Sequence, residues 1–240
     1  MTEICTSAAM ARTNSHWEAF TEDVPWFLTG NDRVVVGDVA YPGTWRMPNA
    51  LARTFPRLAD LLGSANTSAV SVGVRHYVLF SWEGEDGISA WLSPRPSPSP
   101  RGDVLPAHRD LLTVFGGITE RSNEPETTWL LNTNESLTIE EASNDATFVR
   151  AYDWAFVEIP GGIPIDLTAY YSISREANGN NTFCHRLGGD VLLFAPDHSF
   201  DDVEPLEGCP PYTLYRRRGG GTFVDWVETV ARQWAAAIDG

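Results

Sequence analysis

The sequence predicts an α+β fold in which helices pack on one side of a mostly antiparallel sheet. Alternating apolar residues at 69–82, the turn residues EGEDG and a second apolar run at 88–92 indicate a β-hairpin. Strand-like segments separated by turn signals at 166–196 are typical of an antiparallel meander. Apolar residues at helical spacing over 222–238 predict a long C-terminal helix.

Size and charge narrow the possible functions. The chain has 240 residues, of which 42% are hydrophobic, enough for one large domain or two small ones. Its net charge of −15 is concentrated in residues 101–240, which hold 22 acidic residues and ten arginines. This excess repels nucleic acid and anionic membranes and attracts a basic protein, although it also serves solubility. No apolar run approaches the roughly 18 residues of a membrane helix.

Composition also excludes some chemistry. All 17 basic residues are arginine, which excludes a Schiff-base lysine and a P-loop lysine. The three cysteines, Cys5, Cys184 and Cys209, are too few and too widely spaced for a disulfide framework, so we expect a reducing compartment. The first 20 residues lack the features of a signal peptide, and we predict a cytoplasmic protein.

The first half of the chain shows several local signals. The β-rich run 33–41 predicts a strand, and residues 49–63 have helical spacing that Pro56 should interrupt. His76 falls on the apolar face of the strand predicted at 69–82, where we expect a hydrogen-bonded core histidine. The segment 93–102 has four prolines and predicts either a boundary between domains 1–100 and 101–240 or a long loop within one sheet.

The stretch LPAHRDLLTVFGGITER, residues 105–121, predicts a short helix that begins at Pro106. A phosphate site would need glycines at the start of a helix, where backbone N–H groups are free. Gly116 and Gly117 instead follow the helical residues, so we predict that they end the helix. Further on, the segments 127–137 and 148–159 look like strands or half-buried pieces.

The candidate reactive groups do not form a recognisable constellation. Cys184 and His185 are adjacent on a predicted strand and should point to opposite faces. Together with His198 and Cys209 they lack metal-ligand spacing. We therefore predict no catalytic residue, no metal site and no cofactor.

Two charged segments are candidates for binding a partner. The loop 196–208 lacks the EF-hand pattern and is predicted to be either a solvated acidic loop or a surface for a basic partner. The run RRRGGG is either a flexible connection before the last helix or an arginine patch. The candidate partner-binding residues are Asp197, Asp201, Asp202, Glu204, Glu207, Arg216, Arg217 and Arg218.

From about residue 105 to its end, the chain resembles the SUKH superfamily, which includes cell-wall regulators and bacterial immunity proteins. The resemblance covers about 135 of the 240 residues. It rests on a Leu-Pro start, an apolar helix, a Gly-Gly pair, the strand GGDVLLF and a closing helix opened by an aromatic residue. These motif residues are Leu105, Pro106, Leu111, Leu112, Phe115, Gly116, Gly117, Thr222, Phe223, Asp225 and Trp226.

The resemblance implies a non-catalytic α+β domain that binds a protein, in bacteria often a toxin such as a nuclease. A basic toxin would suit the acidic charge of residues 101–240. Two alternatives stay open at this point. One is a regulatory or scaffold domain for a cellular protein, and the other is a small-molecule-binding protein or enzyme, which would need a cleft with converging polar groups.

Overall fold

The computed structural model describes residues 14–100, 102–124, 133–176, 178–197 and 202–238. Within these ranges the chain forms two antiparallel sheets of five and six strands together with helices. The predicted α+β fold is therefore confirmed.

The first sheet has the strand order β1-β2-β3-β4-β5. The prediction of one strand over 69–82 was wrong, because Gly73, with a φ of 59°, turns the chain between two strands. The turn is so short that it leaves the apolar alternation unbroken in the sequence. His76 consequently lies at the exposed start of the next strand, not in the core. The strands are β1 (Val34–Val36), β2 (Asn66–Val72), β3 (Arg75–Gly84), β4 (Gly87–Pro94) and β5 (Glu120–Ser122).

The second sheet has the order β10-β11-β9-β8-β7-β6. Its strands are β6 (Thr133–Ser136), β7 (Tyr170–Glu176), β8 (Asn181–His185), β9 (Val191–Phe194), β10 (Val203–Pro205) and β11 (Leu214–Arg217). β7, β8 and β9 pair in sequence order, so the predicted meander is confirmed. An isolated backbone bridge between Ile118 and Ser136 connects the two sheets, with N–H to O distances of 2.7 and 2.8 Å.

The α-helices include the predicted C-terminal helix, which Thr222 and Asp225 cap through reciprocal hydrogen bonds. The predicted interruption at Pro56 is also confirmed, because one helix ends at Thr54 and the next begins at that proline. The α-helices are α1 (Ser15–Asp23), α2 (Asn49–Thr54), α3 (Pro56–Ser64), α4 (Pro106–Leu112), α5 (Ile139–Ala142) and α6 (Phe223–Ile238).

A 3-10 helical segment with a kink at Tyr152, Ala146–Phe156, occupies most of 148–159, so the chain forms a half-buried piece there and not a strand. The Asp145 carboxylate caps the segment by accepting the Thr147 N–H at 2.9 Å. The buried residues Ala146, Val149 and Phe156 place one face of the segment against the second sheet. Local capping therefore overrides the apolar run that suggested a strand.

One hydrophobic cluster draws on residues from both sides of the proline-rich segment 93–102. Phe55 and Trp91 come from before this segment, and Phe115, Phe223 and Trp234 come from after it. On the other face of the first sheet, α1 packs its residues against alternate positions of β2, β3 and β4. Residues 1–100 and 101–240 thus share a core.

The glycine pair lies beyond the end of α4, which stops at Leu112. A β-carbon on Gly116 would lie 1.9 Å from the Pro94 carbonyl oxygen. One on Gly117, whose φ is 88°, would lie 2.5 Å from the Leu137 carbonyl carbon. The prediction that these glycines end the helix was therefore wrong, because the helix ends at Leu112 with Thr113 as its C-cap. They are required because three backbone segments meet where the two sheets join.

The C-terminal helix also caps α3. The Glu228 carboxylate accepts the Arg57 N–H at 2.9 Å and the Leu58 N–H at 3.2 Å, and the N-cap residue Phe55 provides no side-chain acceptor. We expect Glu228→Ala to lower the free energy of unfolding by about 1 to 2 kcal/mol, because two N–H groups lose a charged acceptor. Urea unfolding measures this.

The control is Glu85→Ala, which removes the same charge from an exposed hairpin turn. It should change stability by less than about 0.5 kcal/mol. Equal effects of the two variants would contradict a capping role for Glu228.

Candidate partner-binding surface

Asp202, Glu204 and the three arginines lie together at the β10–β11 end of the second sheet. Arg217 Nε lies 3.2 Å from Asp202 Oδ2, and Glu204 is the strand partner of Arg216. Arg217 is only 5% exposed, and burial lowers its pKa to about 10. The buried Arg217 is therefore paired with the partly exposed Asp202.

The remaining candidates from these two segments differ in exposure. Asp197, Glu204, Glu207, Arg216 and Arg218 are exposed, and Asp201 lies outside the described residues. Because these exposed side chains carry both positive and negative charges, the β10–β11 hairpin has no concentrated charge of either sign.

The motif residues of the family resemblance are mainly structural. Leu111, Phe115, Phe223 and Trp226 are buried in the large core cluster, and Leu112 is buried as well. Leu105 and Pro106 form the start of α4. This part of the pattern therefore explains the fold and supplies no binding surface.

His108 on α4 is fully buried and bonded at both ring nitrogens. Its Nδ1 lies 3.1 Å from the Tyr171 hydroxyl, and its Nε2 lies 3.0 Å from the Leu137 carbonyl oxygen. Burial lowers its pKa to about 4, so the ring is neutral at pH 7. This histidine joins α4 to the second sheet.

Cys184 is not a reactive cysteine, and the described cysteines and histidines form no metal site. Cys184 is buried, and burial raises its pKa to about 12, so it is a thiol and a poor nucleophile at pH 7. Among the described residues, no three His, Cys, Asp or Glu side chains come together as a metal site, and no helix has the length and apolarity needed to cross a membrane. Cys5 and His198 lie outside those residues.

The most conspicuous surface feature is the outer side of the Ala146–Phe156 segment and the residue that follows it. Trp154 is 68% exposed and Val157 is 77% exposed. Most proteins bury such side chains, and exposed apolar groups that cluster often mark interaction sites. We call the residues Phe148, Tyr152, Trp154 and Val157 the aromatic ridge.

Two clefts border the aromatic ridge. One, of about 510 Å³, is lined by Asp153, Val157 and Asp166. Hydrogen bonds from Thr168 lower the pKa of Asp166, which keeps this carboxylate ionised at neutral pH. Arg150 also lines this cleft, so this side of the ridge combines apolar surface with two carboxylates and one guanidinium group.

The other cleft, of about 670 Å³, lies between α5, the ridge and the second sheet. Glu141 and Asp145 contribute carboxylates to its lining, Arg175 contributes a guanidinium group, and Phe148 and Tyr152 contribute aromatic rings. The Tyr152 ring packs edge-on against Phe194 of β9, with the ring centres 4.9 Å apart. The second sheet thus holds Tyr152, one of the two aromatic residues that line the cleft, in place.

The ridge belongs to an acidic part of the chain. Residues 133–170 contain seven acidic residues and a single arginine, Arg150. Leu206 and Cys209 pack into the same cluster as Val149 and Phe156, so the exposed Glu207 between them adds charge on this side of the sheet.

A third cleft contains His76. It measures about 480 Å³ and is also lined by Arg75, Arg95, Glu135 and Glu140. The Nδ1 atom of His76 lies 2.9 Å from the Ser71 hydroxyl. The cleft carries both signs of charge, on exposed side chains apart from the partly buried Glu135.

Comparison of the chain with protein-family models, curated proteins and solved structures gave no match. The resemblance to the SUKH superfamily therefore stays a prediction from the motif residues. The surface just described is independent of that resemblance, because none of its residues belongs to the motif.

Proposed function

We propose that this protein is a non-catalytic binding domain that neutralises a basic protein toxin through the aromatic ridge. The observation that carries the proposal is Trp154, a 68% exposed tryptophan in a region with seven acidic residues and one arginine. Tryptophan is enriched among the residues that dominate binding energy at protein interfaces. The acidic surroundings favour a partner of positive charge.

The charge of the whole chain supports the same partner. A net charge of −15 accelerates encounter with a basic protein and slows encounter with nucleic acid or an anionic membrane. A toxin that attacks nucleic acid needs a basic surface of its own. An acidic protein that covers this surface would block the toxin without any catalysis.

The proposal is tested by co-expression with each protein encoded by the neighbouring genes. We expect at least one neighbour to be toxic alone and harmless when this protein is present, and the two to form a stable complex when purified. The proposal fails if no neighbour is toxic or if the protein relieves none of them. Recovery of a stable complex with a non-toxic cellular protein would instead favour a regulatory or scaffold function.

Trp154→Ala should weaken the complex by at least about 2 kcal/mol, or about thirtyfold in Kd, because the side chain loses its contact area at the centre of the interface. Trp26→Ala is the matched control, since Trp26 is also 68% exposed but precedes β1. Isothermal titration with the purified partner measures both. A larger loss with the Trp26 variant would place the interface elsewhere.

A further inference from the structure

We propose that the 670 Å³ cleft beside the aromatic ridge receives one cationic side chain, arginine or lysine, of the basic partner. This inference rests on the proposed function, because it assigns a specific pocket to that partner.

Glu141 forms an ordered anionic base for the cleft. It is 1% exposed, and its Oε1 accepts hydrogen bonds from the Ser172 hydroxyl and from Asn181 Nδ2, the latter at 3.4 Å. Its other oxygen, Oε2, lies 3.4 Å from Arg175 Nη2. A buried carboxylate held on several sides cannot turn away, so its negative field is fixed in direction.

Asp145 supplies a carboxylate oxygen that is open to a ligand. Both donors of Thr147, its N–H and its hydroxyl, bind Oδ1 of Asp145. Its Oδ2 accepts no hydrogen bond from any residue in the described part of the chain. The Thr147 hydrogen bonds lower the pKa of Asp145, so this group is ionised at neutral pH.

The single cation in the lining does not cancel this charge. Arg175 Nη2 lies 3.4 Å from carboxylate oxygens of both Glu135 and Glu141, so two acids share one guanidinium group. Glu135 lines the cleft that contains His76 and not this one, so Glu141 and Asp145 are the two carboxylates of the lining beside one guanidinium group. The cleft is therefore negative overall and accessible, which matches a monovalent cation and disfavours an anion.

The aromatic rings add a second reason for a cation. Phe148 and Tyr152 line the same cleft, and both rings rest on Phe194 of the second sheet. A guanidinium or ammonium group beside an aromatic face gains a cation–π attraction that a neutral polar group lacks.

The test uses N-acetyl-L-argininamide as the ligand and its uncharged isostere N-acetyl-L-citrullinamide as the reference, each titrated into the full-length ¹⁵N-labelled protein. We expect saturable shifts of the amides of residues 141–152 with the arginine compound, and at least tenfold weaker binding of the citrulline compound. Equal binding of the two, or shifts that spread over the whole acidic surface without saturation, would overturn the inference.

Two variants of equal charge sharpen the test. Asp145→Asn keeps a good N-cap but removes the open carboxylate, and should weaken binding of the arginine compound at least fivefold. Asp153→Asn, which lines the other cleft, should leave it within twofold. Equal losses of binding in the two variants would show that the arginine compound responds to general surface charge and not to a specific site.

The two proposals fail in different ways. Neutralisation of a neighbouring toxin together with no binding of the arginine compound would remove the pocket and leave the proposed function intact. Binding of the compound in the absence of any basic protein partner would leave the pocket and remove the toxin-neutralising function.

Discussion

Gly116→Ala is expected to prevent stable folding, or to lower the free energy of unfolding by about 4 kcal/mol or more. The new β-carbon would lie 1.9 Å from the carbonyl oxygen and 2.7 Å from the carbonyl carbon of Pro94, both backbone atoms. Because neither can rotate away as a flexible side chain would, the end of β4 must move, and the core beneath it must repack. Yield, circular dichroism and urea unfolding measure the outcome.

Gly63→Ala is the control for this experiment. Gly63 lies within α3, and an added β-carbon there meets no atom within 4 Å. Alanine in a helix is favoured over glycine, so this variant should be neutral or stabilised by up to about 1 kcal/mol. If Gly116→Ala were as stable as Gly63→Ala, the close approach at the junction of the sheets would be wrong.

Acid should destabilise the protein well above the pH at which most carboxylates titrate, because of His108. Its pKa is about 4 in the folded protein and 6.5 ordinarily. Between pH 6.5 and pH 4, His108 is protonated in the unfolded chain and neutral in the folded chain, so the free energy of unfolding falls as pH falls. The contribution is complete above pH 6.5 and amounts to about 3 kcal/mol lost by pH 4.

His108→Phe isolates this effect. The variant keeps ring packing against Tyr171 and Phe223 but leaves the Tyr171 hydroxyl and the Leu137 carbonyl without their partner. It should be less stable than the wild type at pH 7, and this difference should shrink by about 3 kcal/mol at pH 4. His76→Gln, at an exposed position, should keep the wild-type pH dependence. A difference between His108→Phe and wild type that stays constant from pH 7 to pH 4 would contradict the account.

Burial of two glutamates acts in the opposite direction. Burial raises the pKa of Glu120 and of Glu135, so each takes up a proton more readily in the folded chain and adds stability as pH falls towards its ordinary value. Both glutamates are present in the wild type and in the His108 variant, so their contributions cancel when the stabilities of the two proteins are compared at each pH. The comparison therefore reports the histidine alone.

Local patterns allowed much of the fold to be predicted. The C-terminal helix and the interruption at Pro56 follow from spacing, capping and the missing proline N–H, which are properties of neighbouring residues. The hairpin turn at Gly73 was missed because two apolar strands joined by a very short turn read as one strand. The Ala146–Phe156 segment was missed because its apolar residues face Phe183 and Phe194, which come later in the chain.

The candidate surface was harder to predict than the fold. The acidic loop and the arginine run looked like separate patches, and only the register of β10 and β11 shows that Asp202 and Arg217 pair. The exposure of Trp154 depends on which face of its segment the sheet covers, and the sequence alone left a strand and a half-buried piece as alternatives there. The high density of acidic residues over 133–170 was the available signal. The role of Gly116 could not be predicted for a similar reason. In the sequence, a glycine that ends a helix cannot be told apart from a glycine that lies close to another backbone segment.

The most direct test of the central claim is amide hydrogen exchange of the protein, free and bound to the basic partner found by co-expression. We predict that binding slows exchange in residues 145–158 and leaves the hairpin of β10 and β11 nearly unchanged. Protection confined to that hairpin or to the edge strand β1, with none at Trp154 and its neighbours, would show that the aromatic ridge is not the binding surface.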